Sequence, residues 1–213
     1  MRRYSTILAG VLAGVLALSG FSFAAAGPAM AGGCPSFATF AVGGTGDPES
    51  THTPRVPVGW RENIAYPADV FQGDKSRKIA RDKLSRAARH MRAVCPATHI
   101  HVVGYSLGAS AASVVVDHWQ SDPVMSRRTS ATFVGNPRRP IGPTGWGGIE
   151  TAGLPHIPGV YTWSGARRGG PIPVVEVCNE GRDVICSVPV PMHRNLVGAW
   201  ESLYGYLTGD HLY

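Results

Sequence analysis

The chain has 213 residues, 44% of them hydrophobic, and a formal net charge of +6. That length and composition suit one domain with a single sizeable core. The mild basic excess can favour an anionic surface such as a cell envelope but falls short of a nucleic-acid footprint, so no nucleic-acid partner is expected.

Residues 1–31 read as a secretory signal peptide. Arg2 and Arg3 supply the positive start, residues 7–26 the apolar stretch, and Ala29-Met30-Ala31 the small-x-small cleavage site. A retained N-terminal anchor is the competing reading. Cys34 lacks the preceding aliphatic residue that lipidation favours. Cleavage leaves residues 32–213 as one exported domain, secreted or held at the cell envelope and expected to be a monomer. This part holds no second long apolar run, so no membrane-spanning segment is expected in it. Four cysteines in an exported chain imply two disulfides. Cys178 and Cys186 are close enough in sequence to close a short loop, which pairs Cys34 with Cys95. The spacings do not resemble a paired CxxC arrangement, and no metal is expected.

Short apolar runs alternate with helical stretches, the pattern of an α/β fold built on a parallel sheet. Residues 37–42 form the first strand and run into Gly43-Gly44-Thr45-Gly46-Asp47-Pro48, a sharp turn. A short extended piece follows near residues 63–66. Residues 74–94 are an amphipathic helix with Ala80, Leu84, Ala87, Ala88, Met91 and Val94 as its apolar stripe. Lys75, Arg77, Lys78, Arg81, Lys83, Arg86, Arg89 and Arg92 crowd its other faces. They read as a solvated surface, with docking to an acidic envelope polymer as the alternative. Pro96 ends the helix, and residues 99–103 are the next strand. A helix over 107–120, a strand over 131–134 and a Gly/Pro-rich loop over 138–159 come next. A weaker extended piece at 160–163 precedes a last strand at 174–177. The final helix spans 195–207, with Leu196, Ala199, Trp200, Leu203 and Leu207 on one side.

Gly104-Tyr105-Ser106-Leu107-Gly108 is a GxSxG pattern between an apolar strand and an Ala-rich helix, the context of a nucleophile elbow. The glycines are needed because a side chain at 104 or 108 would meet neighbouring backbone. The competing reading is that Ser106 merely caps the helix. A hydroxyl nucleophile needs a base and the base an orienting acid, which follow in the chain order Ser, Asp/Glu, His. Asp183, inside the loop bracketed by Cys178 and Cys186, is preferred as the acid to Asp122, Glu150, Glu176, Glu180, Glu201 and Asp210. The base is assigned to His211, with His193 as the alternative; His99 and His101 read as structural. The N–H groups of Leu107 and Thr45 are the expected oxyanion donors. The loops around Trp146 and Trp163 are expected to shape an apolar acyl site. The same constellation would also serve a serine peptidase or an acyltransferase, and the fold could persist as an inactive envelope-binding module.

These motifs resemble those of secreted cutinase-like serine esterases and the related PE-PPE hydrolase domain. Cys95-Pro96-Ala97-Thr98 followed by the strand and Gly104-Tyr105-Ser106-Leu107-Gly108-Ala109 is similar to the cutinase nucleophile segment. Residues 178–186 look like the cutinase loop in which two cysteines bracket the catalytic aspartate, and His211-Leu212-Tyr213 like the terminal histidine segment. Gly43-Gly44-Thr45-Gly46, Tyr66-Pro67-Ala68 and Gly135-Asn136-Pro137-Arg138-Arg139-Pro140 are similar to the PE-PPE pattern. The resemblance implies a three-layer α/β/α sandwich with a central parallel sheet and no large lid. It implies hydrolysis of lipid or short- to medium-chain acyl esters without a cofactor. Leu107 stands where cutinases carry Gln, Arg182 adds a residue to the aspartate loop, and the gap from Cys186 to His211 is nearer the PE-PPE spacing.

Overall fold

The computed structural model describes residues 33–213, so the expected signal peptide lies outside the described residues. Among the described residues, seven strands and three α-helices follow in chain order: β1 (Phe37–Val42), β2 (Trp60–Asn63), α1 (Gly73–Val94), β3 (His99–Tyr105), α2 (Leu107–Trp119), β4 (Thr129–Val134), β5 (Trp146–Gly147), β6 (Val174–Val177), β7 (Val188–Pro189) and α3 (Leu196–Leu207). Five strands make one parallel sheet in the order β2-β1-β3-β4-β6, flanked by helices. This is the expected α/β architecture with a central parallel sheet. β1 and β3 are apolar almost throughout because central parallel strands are covered on both faces.

The register aligns the strand ends. Val42 pairs with Gly104, Tyr105 with Val134, and Val134 with Val177. The glycine turn after β1, Ser106 after β3, Gly135 after β4 and Cys178 after β6 therefore all leave the sheet at its carboxyl edge, where α/β sheets place their sites.

The main core lies on one face of the sheet. Ala80, Leu84, Ala88 and Met91 of α1 and Ala112, Val115, Val116 and Trp119 of α2 pack with Phe40, Val102, Ala131 and Phe133. Leu84 alone, with no exposed surface, contributes about 2 kcal/mol of apolar burial. A second, smaller core joins Ala152, Val184 and Val188 to Ile149, Ile185, Met192 and Ala199, beneath the antiparallel β5–β7 pair. The disulfides Cys34–Cys95 and Cys178–Cys186 are both formed, with Cα separations of 5.4 Å and 6.0 Å.

Four sequence-based expectations are corrected. The extended piece near 63–66 is the strand β2, three residues earlier. Residues 160–163 form no strand; an isolated bridge between Ile157 and Tyr161 closes a turn there. The 138–159 loop contains β5 and a 3-10 turn at Ile149–Thr151.

The fourth concerns the basic face of α1, where Arg77 and Arg92 are buried. Arg92 donates to the carbonyls of Pro96, Thr98, Arg127 and Arg128, tying the chain entering β3 to the chain entering β4. Arg77 forms an ion pair with buried Glu150 at 3.1 Å and lies 3.8 Å from the Tyr161 ring centre. Ser110, Tyr161 and the Ser164 N–H donate to the same Glu150 carboxylate. Lys78 and Arg89 are engaged by Asp82 and Asp122. What reads as a solvated or polymer-binding stripe is thus partly an internal clamp between α1, α2 and the loops over the carboxyl edge.

Arg77 also pairs with Asp74 at 2.8 Å, so loss of the Glu150 charge removes the buried part of its compensation and leaves the half-exposed part. Glu150→Gln is therefore expected to destabilise the protein by about 1–3 kcal/mol, read as a lowered urea midpoint with an unchanged slope.

Candidate active site

Ser106 sits between β3 and α2 with φ 53° and ψ −120°, a left-handed conformation that costs a non-glycine residue about 1–3 kcal/mol. The neighbours hold it there. The Ser106 N–H donates to Val134 O at 2.9 Å, and the Ser110 N–H to Ser106 O at 3.1 Å. The elbow must be tight because a Cβ at Gly108 would come within 2.2 Å of Gly43 O, and one at Gly104 within 2.7 Å of Ala109 Cα. Ser106 occupies the N-cap position of α2, yet its side chain makes no capping bond. Its Oγ faces His211 Nε2 at 2.8 Å.

On its other side the His211 ring meets Asp183, with Nδ1 2.7 Å from Oδ2. Asp183 has no exposed surface. Its Oδ1 accepts the Ile185 N–H at 3.0 Å, and its Oδ2 also accepts the Tyr213 hydroxyl at 2.7 Å. An all-acceptor carboxylate fixes the imidazole proton on Nδ1 and leaves the Nε2 lone pair directed at Ser106. The sulfurs of Cys178 and Cys186 crowd the same carboxylate, but each is consumed by the other in the disulfide and neither is a thiolate ligand.

Tyrosines frame the histidine. Tyr105 stacks on its ring at 5.1 Å and donates to the His211 carbonyl at 2.6 Å. Burial pushes the Tyr105 phenol up to about 12, with Asp183 adding to the effect, so it remains a donor across the neutral range. Burial and then the bond to Asp183 raise the Tyr213 phenol as well. Tyr213 also accepts the Asn179 N–H at 3.1 Å and so links the start of the aspartate loop to Asp183. Gly135, at φ +56°, gives the histidine its room: a Cβ there would stand 2.6 Å from His211 Cε1.

The glycine turn after β1 lies against the elbow, since a Cβ on Gly44 would meet Tyr105 Cδ1 at 2.9 Å and Ser106 Cβ at 3.2 Å. Tyr66 OH and Ser50 Oγ hold Gly43 from the two sides of its peptide. Thr45, Ser106, Leu107 and His211 line one cavity of ≈ 470 Å³, walled by Val70, Phe71, Ile149, Tyr161, Trp163 and Ile185.

Ser106, Asp183, His211, Thr45 and Leu107 are therefore together. The alternative base His193 is exposed on the 192–194 turn, away from the cavity lining. Trp163 lines the cavity, whereas Trp146 lies under α3, where a Cβ on Gly198 would meet its ring at 2.9 Å. His99 and His101 converge on Ser130 Oγ, each at 2.8 Å, on the sheet rather than at its edge. Sequence reasoning missed Tyr105 and Tyr213 as frame residues. A tyrosine adjoining each of two candidate groups was the available signal, but nothing local tells which hydroxyl turns inward.

The family model described as Cutinase matches residues 38–195, which include the elbow and the aspartate loop. The chain belongs to the cutinase family. Cutinase-family membership makes it a carboxylester hydrolase acting on small ester substrates. No curated protein sequence matches the chain. Among solved structures, a cutinase-like protein from Cryptococcus sp. is similar at TM-score 0.57 and 20% identity, over 84% of this chain and 96% of its own. An acetylxylan esterase matches at TM-score 0.53 and 20% identity, over 84% and 100%. Lysin B from Mycobacteriophage D29 matches at TM-score 0.55 and 20% identity, over 76% and 70%. At such identity these three establish a shared cutinase-like fold. The two disulfides are typical of extracellular members of this family.

Proposed function

We propose that Ser106, His211 and Asp183 are the catalytic triad of an exported esterase that cleaves lipid or short- to medium-chain acyl esters. The observation that carries this reading is the unbroken line Ser106 Oγ, His211 Nε2, His211 Nδ1, Asp183 Oδ2, with separations of 2.8 Å and 2.7 Å at its two junctions. His211 Nε2 takes the Ser106 proton as Oγ bonds to the ester carbonyl carbon. The carbonyl oxygen becomes an oxyanion, which receives the N–H groups of Leu107 and Thr45; neither N–H has a hydrogen-bond acceptor among the described residues. Collapse breaks the bond to the alkoxy oxygen, which leaves with the proton from Nε2. Water then attacks the acyl-enzyme, giving its proton to His211, and the acid is released with Ser106 restored. Asp183 orients the imidazole and stabilises the imidazolium that forms.

The apolar walls of the cavity support an acyl chain as the group bound there. The Gly135–Pro140 run supports a place near the PE-PPE branch. Arg138 pairs with buried Asp117 at 2.6 Å and Arg139 donates to Cys186 O at 3.1 Å, so the run braces the aspartate loop against α2. The leader over residues 1–31 and the two disulfides support export.

A series of chromogenic esters of increasing chain length, hydrolysed by wild type and by Ser106→Ala, tests the assignment. The variant is expected to lose activity by about 10⁴-fold or more; equal rates in both would end it. A second outcome follows from Tyr213. Its hydroxyl draws charge from the Asp183 oxygen that faces His211. Removing it takes away one of the donors that hold this oxygen in line with the imidazole. In Tyr213→Phe, kcat/KM for a dissolved ester is expected to fall by roughly tenfold. An unchanged kcat/KM would reduce Tyr213 to a packing role.

A further inference from the structure

α3 is an inside-out helix. Only Gly198, Ser202 and Gly205 are buried in it. Its large apolar side chains point to solvent: Leu196 is 69% exposed, Val197 70%, Trp200 62% and Leu207 68%, with Tyr204 and Tyr206 also exposed. The cause lies in the docking side. A Cβ at Gly205 would stand 2.1 Å from Arg182 O and one at Gly198 2.9 Å from the Trp146 ring, so the helix seats its backbone close to the domain through small residues. Of the apolar stripe read from the sequence, Ala199 alone packs inward, and Leu196, Trp200, Leu203 and Leu207 are left outside. Exposed apolar surface this continuous marks a surface that meets something else.

We propose that α3 rests on the apolar surface of a lipid aggregate and so presents ester from that surface to the adjoining cavity. Three observations select this occupant. First, the patch runs into the cavity mouth. Tyr206 of α3 and Leu212 just after it line the cavity, as do Phe71, 81% exposed, and Ile157, 50% exposed. A protein seated on this face would cover the mouth through which substrate must pass, whereas a lipid surface would supply it. Second, Trp200, Tyr204 and Tyr206 combine apolar rings with a polar tip, the residue type that settles at headgroup level. Third, Glu201 is the one charged residue of α3, so burial of apolar area rather than charge would drive adsorption.

The proposal takes the ester hydrolysis described above as its starting point, and its test separates the two. Flotation with phosphatidylcholine vesicles in the Ser106→Ala background measures binding without consuming ester. The combination Leu196→Ser, Val197→Ser, Trp200→Ser, compared at an identical N-terminus, leaves every cavity-lining residue in place. It is expected to reduce the vesicle-bound fraction and the hydrolysis of emulsified ester by roughly tenfold or more, while hydrolysis of a dissolved short-chain ester is unchanged and reports that the fold is intact. Binding that persists in high salt agrees with apolar adsorption. The proposal fails if the parent does not float, if the triple variant floats equally well, or if binding disappears in high salt. It fails equally if sedimentation shows a dimer that the triple variant dissociates, since α3 would then belong to a second copy. Dissolved-ester activity that survives Ser106→Ala strikes the triad and leaves the flotation result to judge α3.

Discussion

A carboxylate with no exposed surface is the group on which the rest of the site depends. Asp183 is tolerable in the interior only because each of its oxygens is met by donors, from Ile185, Tyr213 and His211. Satisfying it organises everything nearby. The Cys178–Cys186 bridge closes its loop, Arg139 braces that loop from outside through Cys186 O, and α3 seats closely enough on Arg182 to bring His211 back over the carboxyl edge of the sheet. Ser106 then needs no adjustment. Its strained backbone already aims Oγ at the imidazole, and the strain is borne by the hydrogen bonds of β4 and the first turn of α2.

The legible part of this protein is the part that local chemistry determines. Apolar runs at 37–42 and 99–103 announce buried parallel strands, and GxSxG between a strand and a helix announces a sharp elbow. The bracketed aspartate loop is equally local. Convergence is another matter: Ser106 and His211 lie 105 positions apart in sequence. They meet because the strand order places the ends of β1, β3, β4 and β6 along one edge, which no single segment encodes.

Two features were hidden for definite physical reasons. Arg77 falls on a helix face dense with cations, and periodicity counts it as solvated. Its burial is made tolerable by Asp74, three residues before it, together with the distant Glu150, across 73 positions of sequence. The face of α3 misleads in the opposite way. Hydrophobic periodicity locates an apolar stripe but assumes that the stripe points inward, and here glycine and serine win the docking side because the backbone approaches too closely for anything larger. Both cases place charge or apolar surface where a simple inside-outside rule would not, and both adjoin the cavity: Glu150 holds Tyr161 in its wall, and α3 extends its rim.

The most direct measurement of the central claim is covalent trapping. An alkyl fluorophosphonate added to the folded protein should form one adduct, located by peptide mass spectrometry on Ser106, and the rate of its formation should collapse in Asp183→Asn because the imidazole then loses the acceptor that sets its tautomer. Absence of any adduct on folded protein, or an adduct on another residue, would contradict the account.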